Sequence, residues 1–342
     1  MLTYHECHQK FCELAKTAGA DLRLSPTLGE GLQGEELTQA YAGFWSKNAK
    51  GLVLHLSGVH GAEGFIGSLA QQNLLKNRDW IQKYQDAGWS VLLVHAMNPF
   101  GMSWIRRVNA ENVDLNRNGI DHRNPPQQYK LLHEKVFKEI ERGTAFWFLK
   151  TLLQTRSLSF NERAQVIAGG QYQNRKQIFF GGSDLQKELI ELRSVLKERS
   201  PQELQRIQVL DIHTGLGEFG KESFFRNGVG QSPALWPEVT SLSVPYRAHG
   251  EVAEFLEREF PHSHLNYWTQ EFGTLSASRV LWRLLEENKS WQKGELRSAR
   301  RIRHLREAFF PSSSVWQRMV LDQCWIRWQN MLDVLNNEGV KS

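Results

Sequence analysis

Three short runs constrain this chain more than any other feature: GLVLHLS at 51–57, WSVLLVHAMN at 89–98 and IQVLDIH at 207–213. Each is almost unbroken apolar sequence and stops at glycine, threonine or an Asn-Pro turn signal. Such runs are the pattern of strands covered on both faces, as in parallel sheets flanked by helices. The helical stretch IGSLAQQNLLKN lies between the first two, which predicts a βαβ unit in a mostly parallel sheet.

The rest of the chain fits around that sheet. Residues 3–18, 128–157 and 249–260 read as helices, and 265–274 as a strand leading into a turn. DLQKELIELRSVLKERS at 184–200 is amphipathic, with Asp184 as its expected N-cap and Pro201 past its end. The glycine-rich stretch 168–183 reads as an irregular loop near a site, and everything after Ser276 as helix, broken near Pro311. No repeat, low-complexity segment or linker divides the chain. The expectation is one α/β domain over 1–342, with a helical C-terminal segment 277–342 packed on it.

Composition narrows the class of protein. Hydrophobic residues are 40% and charged residues 23% of the 342, enough for a substantial core without disulfides. Cys7, Cys12 and Cys324 cannot all pair, which points to a reducing compartment. The charged N-terminus does not read as an export signal, and no apolar run approaches the roughly 18–20 residues of a membrane span. A cytoplasmic protein with no membrane association is expected. The net charge of +5 is a mild positive field that suits anionic substrates. The basic run RSARRIRHLRE at 297–307 spreads its arginines around a helix, so no nucleic-acid partner is expected. HECH at 5–8 has no second cluster to complete a metal site and reads as part of a helix.

Chemistry concentrates at the strand ends. In GVHGAEG, His60 and Glu63 follow a buried strand, and glycines allow the tight turn that lets both side chains face one point. Zinc needs such convergence, with ligand atoms at about 2.0–2.2 Å. His213 closes the run IQVLDIH on the same sheet edge, and Asp211 shares its face by the two-residue period. A carboxylate there would fix the imidazole's tautomer. Three protein ligands leave a fourth position of the kind found in catalytic sites. Glu271, near the end of a late strand, is the candidate general base. Arg106, Arg107, Asn116 and Arg117 supply forks and amides suited to carboxylates and oxyanions.

At these residues the sequence resembles the zinc carboxypeptidases, the superfamily of carboxypeptidase A. HGAEG, VDLNRN, DIHTGLG and TQEFGT stand in that superfamily's order. The closest likeness is to a bacterial branch carrying a domain of unknown function, near succinylglutamate desuccinylase and aspartoacylase. GGQYQNRKQIFFGG at 169–182 and LREAFFPSSSVWQ at 305–317 extend it over most of the chain. The resemblance implies a three-layer α/β/α fold of the phosphorylase/hydrolase-like kind, with a twisted mixed sheet of about eight strands. It implies one zinc ion on His60, Glu63 and His213, Glu271 as catalytic glutamate, and Asn116 with Arg117 on a substrate carboxylate. Arg107, or Arg106 in its stead, would stabilise the oxyanion. Tyr246 and Tyr267 are candidates for an additional tyrosine.

The expected activity is hydrolysis of an amide next to a free carboxylate, on a small peptide or an acyl amino acid. Carboxypeptidase action and deacylation of N-acyl amino acids both meet that description. A non-catalytic zinc- or ligand-binding protein is the alternative of another class, against which the presence of Glu271 argues.

Overall fold

The structure, a computed structural model, describes residues 2–127, 130–142, 156–227, 248–295 and 297–338. The strands are β1 (Asp21–Leu24), β2 (Ala40–Phe44), β3 (Gly51–Ser57), β4 (Trp89–His95), β5 (Arg206–Phe219), β6 (Glu222–Asn227) and β7 (His264–Gly273). Among the described residues they form one seven-stranded sheet in the order β1-β2-β4-β3-β5-β7-β6. β4, β3, β5 and β7 run parallel, while β1, β2 and β6 are antiparallel additions at the two edges. The sheet is therefore mixed, with a parallel centre made of the apolar runs.

The helices in chain order are α1 (Tyr4–Thr17), α2 (Gly64–Lys76), α3 (Arg78–Asp86), α4 (Pro99–Trp104), α5 (Lys130–Arg142) and α6 (Phe160–Ala168). They continue with α7 (Lys187–Lys197), α8 (Pro201–Gln205), α9 (Val252–Glu259), α10 (Ala277–Gln292), α11 (Ala299–Phe309) and α12 (Ser314–Glu338). α1 starts on a capping box, in which Thr3 and Glu6 satisfy each other's backbone N–H groups. Its buried Tyr4, Cys7, Phe11 and Ala15 follow the helical period and give it one apolar face.

Alternation along the central strands sends side chains into two cores. Leu52, Leu54 and Leu56 of β3 face Leu189, Leu192 and Leu196 of α7 and Val252 and Phe255 of α9. Val53 faces the opposite layer, where Phe11 and Ala15 of α1, Leu74 of α2 and Trp328 and Leu332 of α12 pack. Each large side chain so buried contributes on the order of 1.5–3 kcal/mol. Helices thus cover both faces, the three-layer arrangement expected.

Some details differ from the sequence reading. α7 begins at Lys187 with Gln186 as N-cap, not at Asp184. Pro201 does not merely follow a helix; it is the first residue of α8, where its missing N–H costs nothing and Ser200 caps. The helix expected over 128–157 is described only for Lys130–Arg142, and the remainder lies outside the described residues. In the basic run, Arg301 donates to Glu287 and Arg306 stacks on the Phe65 ring at 4.1 Å, so these two turn inward. No helix among the described residues is long and apolar enough to cross a membrane.

Candidate metal centre

The carboxyl end of β3, and the point on β5 just past its pairing with β3, bring His60, Glu63 and His213 together. β3 ends at Ser57, and a 3-10 turn at Gly61–Glu63 then folds back against the arginine-bearing loop. Gly61 N–H donates to the Arg107 carbonyl (3.2 Å) and Ala62 N–H to that of Arg106 (2.8 Å). Gly61 is required for close approach, since a Cβ there would stand 2.0 Å from the backbone carbon of Gly101. β5 does not end at His213 as expected. It continues to Phe219, its pairing with β7 shifting between Gly215 and Phe219, and Gly215 and Gly217 take φ of +138° and +111°.

His60 Nδ1 lies 3.0 Å from Glu63 Oε1, and His213 Nδ1 lies 3.2 Å from Glu63 Oε2. The two Nδ1 atoms are 3.1 Å apart. All three side chains are buried. On their far sides, His60 Nε2 faces Asp114 Oδ1 at 3.1 Å and His213 Nε2 faces Asp211 Oδ2 at 2.6 Å. Ionised carboxylates only accept, so each Nε2 carries a hydrogen, and a ring that gives up its Nδ1 proton turns a lone pair inward at Nδ1. Three acceptors facing one point repel each other unless a cation lies between them. Ligands at zinc distances around a tetrahedral ion stand about 3.3–3.6 Å apart, close to the spacings here. The donor set therefore fits a divalent ion. Among the described residues it is the one group of His, Cys, Asp or Glu with this geometry, and HECH at 5–8 lies within α1 as expected.

The surrounding charges are strongly perturbed. Burial would raise Asp114, but Arg107 and His60 outweigh it and hold it well below the usual carboxylate range. Burial would likewise lift Glu63, while His60 and His213 bring it down. Burial disfavours the charged form of His213, yet Asp211 and Glu63 raise its pKa well above the ordinary histidine value.

Glu271 pairs in register with His213 across β5 and β7, so their side chains share a face of the sheet. Its Oε1 accepts the Leu216 N–H at 2.8 Å. Burial first, then the charge of Glu63, pushes its pKa up to about 7. Arg107 reaches the cluster, with Nε on Asp114 Oδ2 (2.8 Å) and Nη1 3.5 Å from Glu63 Oε1. Arg106 turns away, donating to Glu287 at 2.7 Å and stacking on Trp291 at 3.9 Å.

Asn116 and Arg117 lie on the adjoining 3-10 turn, Leu115–Arg117. Asn116 Oδ1 accepts the Val252 N–H at 3.0 Å. Arg117 Nε and Nη2 donate to the Ala168 carbonyl and Nη1 to the Asn116 carbonyl, which occupies three of its five N–H groups. Ala168 begins the stretch expected to lie near the site. Tyr267 is buried with its hydroxyl on Asp211, and Tyr246 lies outside the described residues. Asp114 was not singled out in the sequence, although it stands two residues before Asn116 in VDLNRN. Nor was Glu251.

A family model described as "Protein of unknown function (DUF2817)" matches residues 1–323. The chain belongs to this family. No curated protein matches the DUF2817 chain. Solved structures that align with it include carboxypeptidase A from Helicoverpa armigera, at 18% identity over 90% of this chain and 74% of that one, with a TM-score of 0.44. A metallo-carboxypeptidase from Pseudomonas aeruginosa aligns at 13% identity over 93% and 68% of the two chains, TM-score 0.41. A murein-tripeptide amidase from Escherichia coli O157 aligns at 16% identity over 79% and 92%, TM-score 0.34.

Proposed function

We propose that this chain is a zinc-dependent hydrolase that cleaves an amide bond next to a free carboxylate. The observation that carries this reading is the convergence of the two Nδ1 atoms and the Glu63 carboxylate within 3.2 Å, each imidazole backed by a buried aspartate. His60, Glu63 and His213 would hold the ion. When bound, zinc supplies a lowered water pKa, near 7, and polarisation of the scissile carbonyl.

The chain's own residues supply the rest. Glu271, with a pKa near neutrality, is matched to accept a proton from the attacking water and return it to the departing amine nitrogen. Arg107 faces the negative charge that builds on the carbonyl oxygen. Asn116 and the remaining N–H groups of Arg117 hold the substrate carboxylate and fix the amide in position. The substrate class is a small peptide cut at its C-terminus or an N-acyl amino acid, since both offer a carboxylate beside an amide.

We also read residues 1–342 as one working unit. α10 and α11 contribute Leu284, Leu305 and Phe309 to a core shared with Phe65 and Ile212. Three free cysteines favour a reducing, cytoplasmic setting.

The test uses the zinc-supplemented protein with benzoylglycyl amino acids and N-acetyl amino acids as substrates. Glu271→Gln is expected to keep its zinc, measured by atomic emission, and to lose about 10²–10⁴-fold in turnover. Full activity in that variant removes Glu271 from the mechanism, and absence of hydrolysis by the zinc-loaded wild type across both series removes the reaction.

A further inference from the structure

Glu251 is an acid beside the site for which the proposed reaction has no use. It stands immediately before α9, yet its carboxylate does not cap that helix. The Val252 N–H goes to Asn116 Oδ1 at 3.0 Å, and the Gly250 N–H goes to Glu254 Oε2 at 2.7 Å. The one hydrogen bond to the Glu251 carboxylate among the described residues comes from the neutral Asn227 amide, 3.2 Å from Oε1. No lysine, arginine or histidine among the described residues forms an ion pair with it.

Its surroundings tie it to the candidate centre on two sides. Asn227 Oδ1 accepts from the Thr269 hydroxyl at 2.6 Å, and Thr269 lies two residues before Glu271 on the same face of β7. On the other side, Gly250 packs so tightly on Arg117 that an added Cβ would stand 2.4 Å from the Arg117 carbonyl oxygen. The Glu251 side chain is only partly covered, as are Asn116 and Asn227. Burial raises its carboxyl pKa, and Arg117 and His213 are near enough to pull it back. A partly buried carboxylate with one neutral donor gains most from a cation brought to it.

We propose that Glu251 forms a subsite for a protonated amine, so that the residue whose carboxylate meets Arg117 carries a basic side chain. Arg117, whose backbone packs on Gly250 next to Glu251, then offers the opposite charge, and the two together select a lysine-like residue over an apolar or acidic one. The catalytic consequence rests on the hydrolase reading; the binding consequence does not.

The experiment has a binding arm and a turnover arm, both on the full-length zinc-loaded protein. In the first, calorimetry compares L-lysine with L-norleucine, which has the same chain without the ammonium. The wild type is expected to bind lysine about tenfold or more tighter, the worth of one charged hydrogen bond. Glu251→Gln keeps the acceptor for Asn227, and is expected to bind the two alike. In the second arm, benzoylglycyl-lysine is expected to exceed benzoylglycyl-norleucine in kcat/KM by a similar factor, and Glu251→Gln to abolish the difference while still cleaving the norleucine substrate. Equal binding of lysine and norleucine by the wild type, or a lysine preference that survives in Glu251→Gln, overturns the subsite. Lysine-selective binding without any turnover upholds the subsite and counts against the hydrolase reading alone. Glu251→Asp, which retains the charge, separates loss of the carboxylate from damage to the fold by keeping part of the preference.

Discussion

The Tyr267 hydroxyl donates to Asp211 Oδ2 over 2.6 Å, the same oxygen that faces His213 Nε2 over 2.6 Å. Tyr267 is therefore placed to support the candidate centre through Asp211. Burial, then the adjacent Asp211 charge, keeps its hydroxyl protonated far into the alkaline range. Removing such a partner lets the aspartate, and with it the imidazole, change orientation. Tyr267→Phe is predicted to weaken zinc binding by about tenfold, at the lower end for residues supporting metal ligands, and Asp211→Asn to weaken it further. Competition with a chromogenic chelator measures both.

Neighbouring arginines should separate by readout. Arg106 is fully buried, bonded to Glu287, and packed on Trp291. Arg106→Met leaves Glu287 paired, among the described residues, with Arg301 alone and is predicted to cost about 1–3 kcal/mol of stability, less than stripping a buried charge of its last partner. Arg107→Lys keeps a charge near Glu63 but loses the fork. It is predicted to retain zinc and lower kcat by about 10²-fold. Urea unfolding and steady-state kinetics on the two variants check the division.

Gly61→Ala tests the turn that carries two of the ligand candidates. The new methyl would meet the backbone of Gly101 and Met102 at 2.0–2.2 Å, and neither can move as a side chain could. A cost of at least about 1–3 kcal/mol is predicted, together with reduced zinc content, because the turn must shift and carry His60 and Glu63 with it. A variant with wild-type zinc content would show that the turn tolerates the displacement.

What could be read in advance follows from physical contrast. The apolar runs of β3, β4 and β5 stood out because strands buried on both faces have no polar alternation to blur them. β1, with only DLRL, and β2, AYAGF, have too little apolar length, and β6 mixes Glu222, Arg226 and Asn227 with its phenylalanines. The convergence of His60, Glu63 and His213 was legible because strand ends of a parallel sheet share an edge. Asp114 and Glu251 were not, because their importance depends on which groups the fold sets beside them. Arg106 and Arg107 could not be told apart by spacing, as only the loop's path decides which guanidinium turns inward.

A pH effect on stability is expected from Glu188, far from these ligands in chemistry. It is buried, with Asn109 Nδ2 donating to both its oxygens at 3.1 and 3.3 Å. Burial raises its pKa above the ordinary 4.5. A raised folded-state carboxyl favours the protonated form, so its contribution to stability is full below the unfolded value and is lost as pH rises through the folded one. Glu188→Gln is predicted to match the wild type in melting temperature near pH 4 and to exceed it progressively towards neutrality. Melting curves across that range decide it, and a constant difference at every pH would contradict the assignment.

The most direct measurement is anomalous diffraction at the zinc edge from crystals grown with zinc. The prediction is a single strong peak within about 2.0–2.2 Å of His60 Nδ1, His213 Nδ1 and a Glu63 carboxylate oxygen, absent in crystals of His213→Ala. A peak held by other residues, or no peak among these three, would contradict the account.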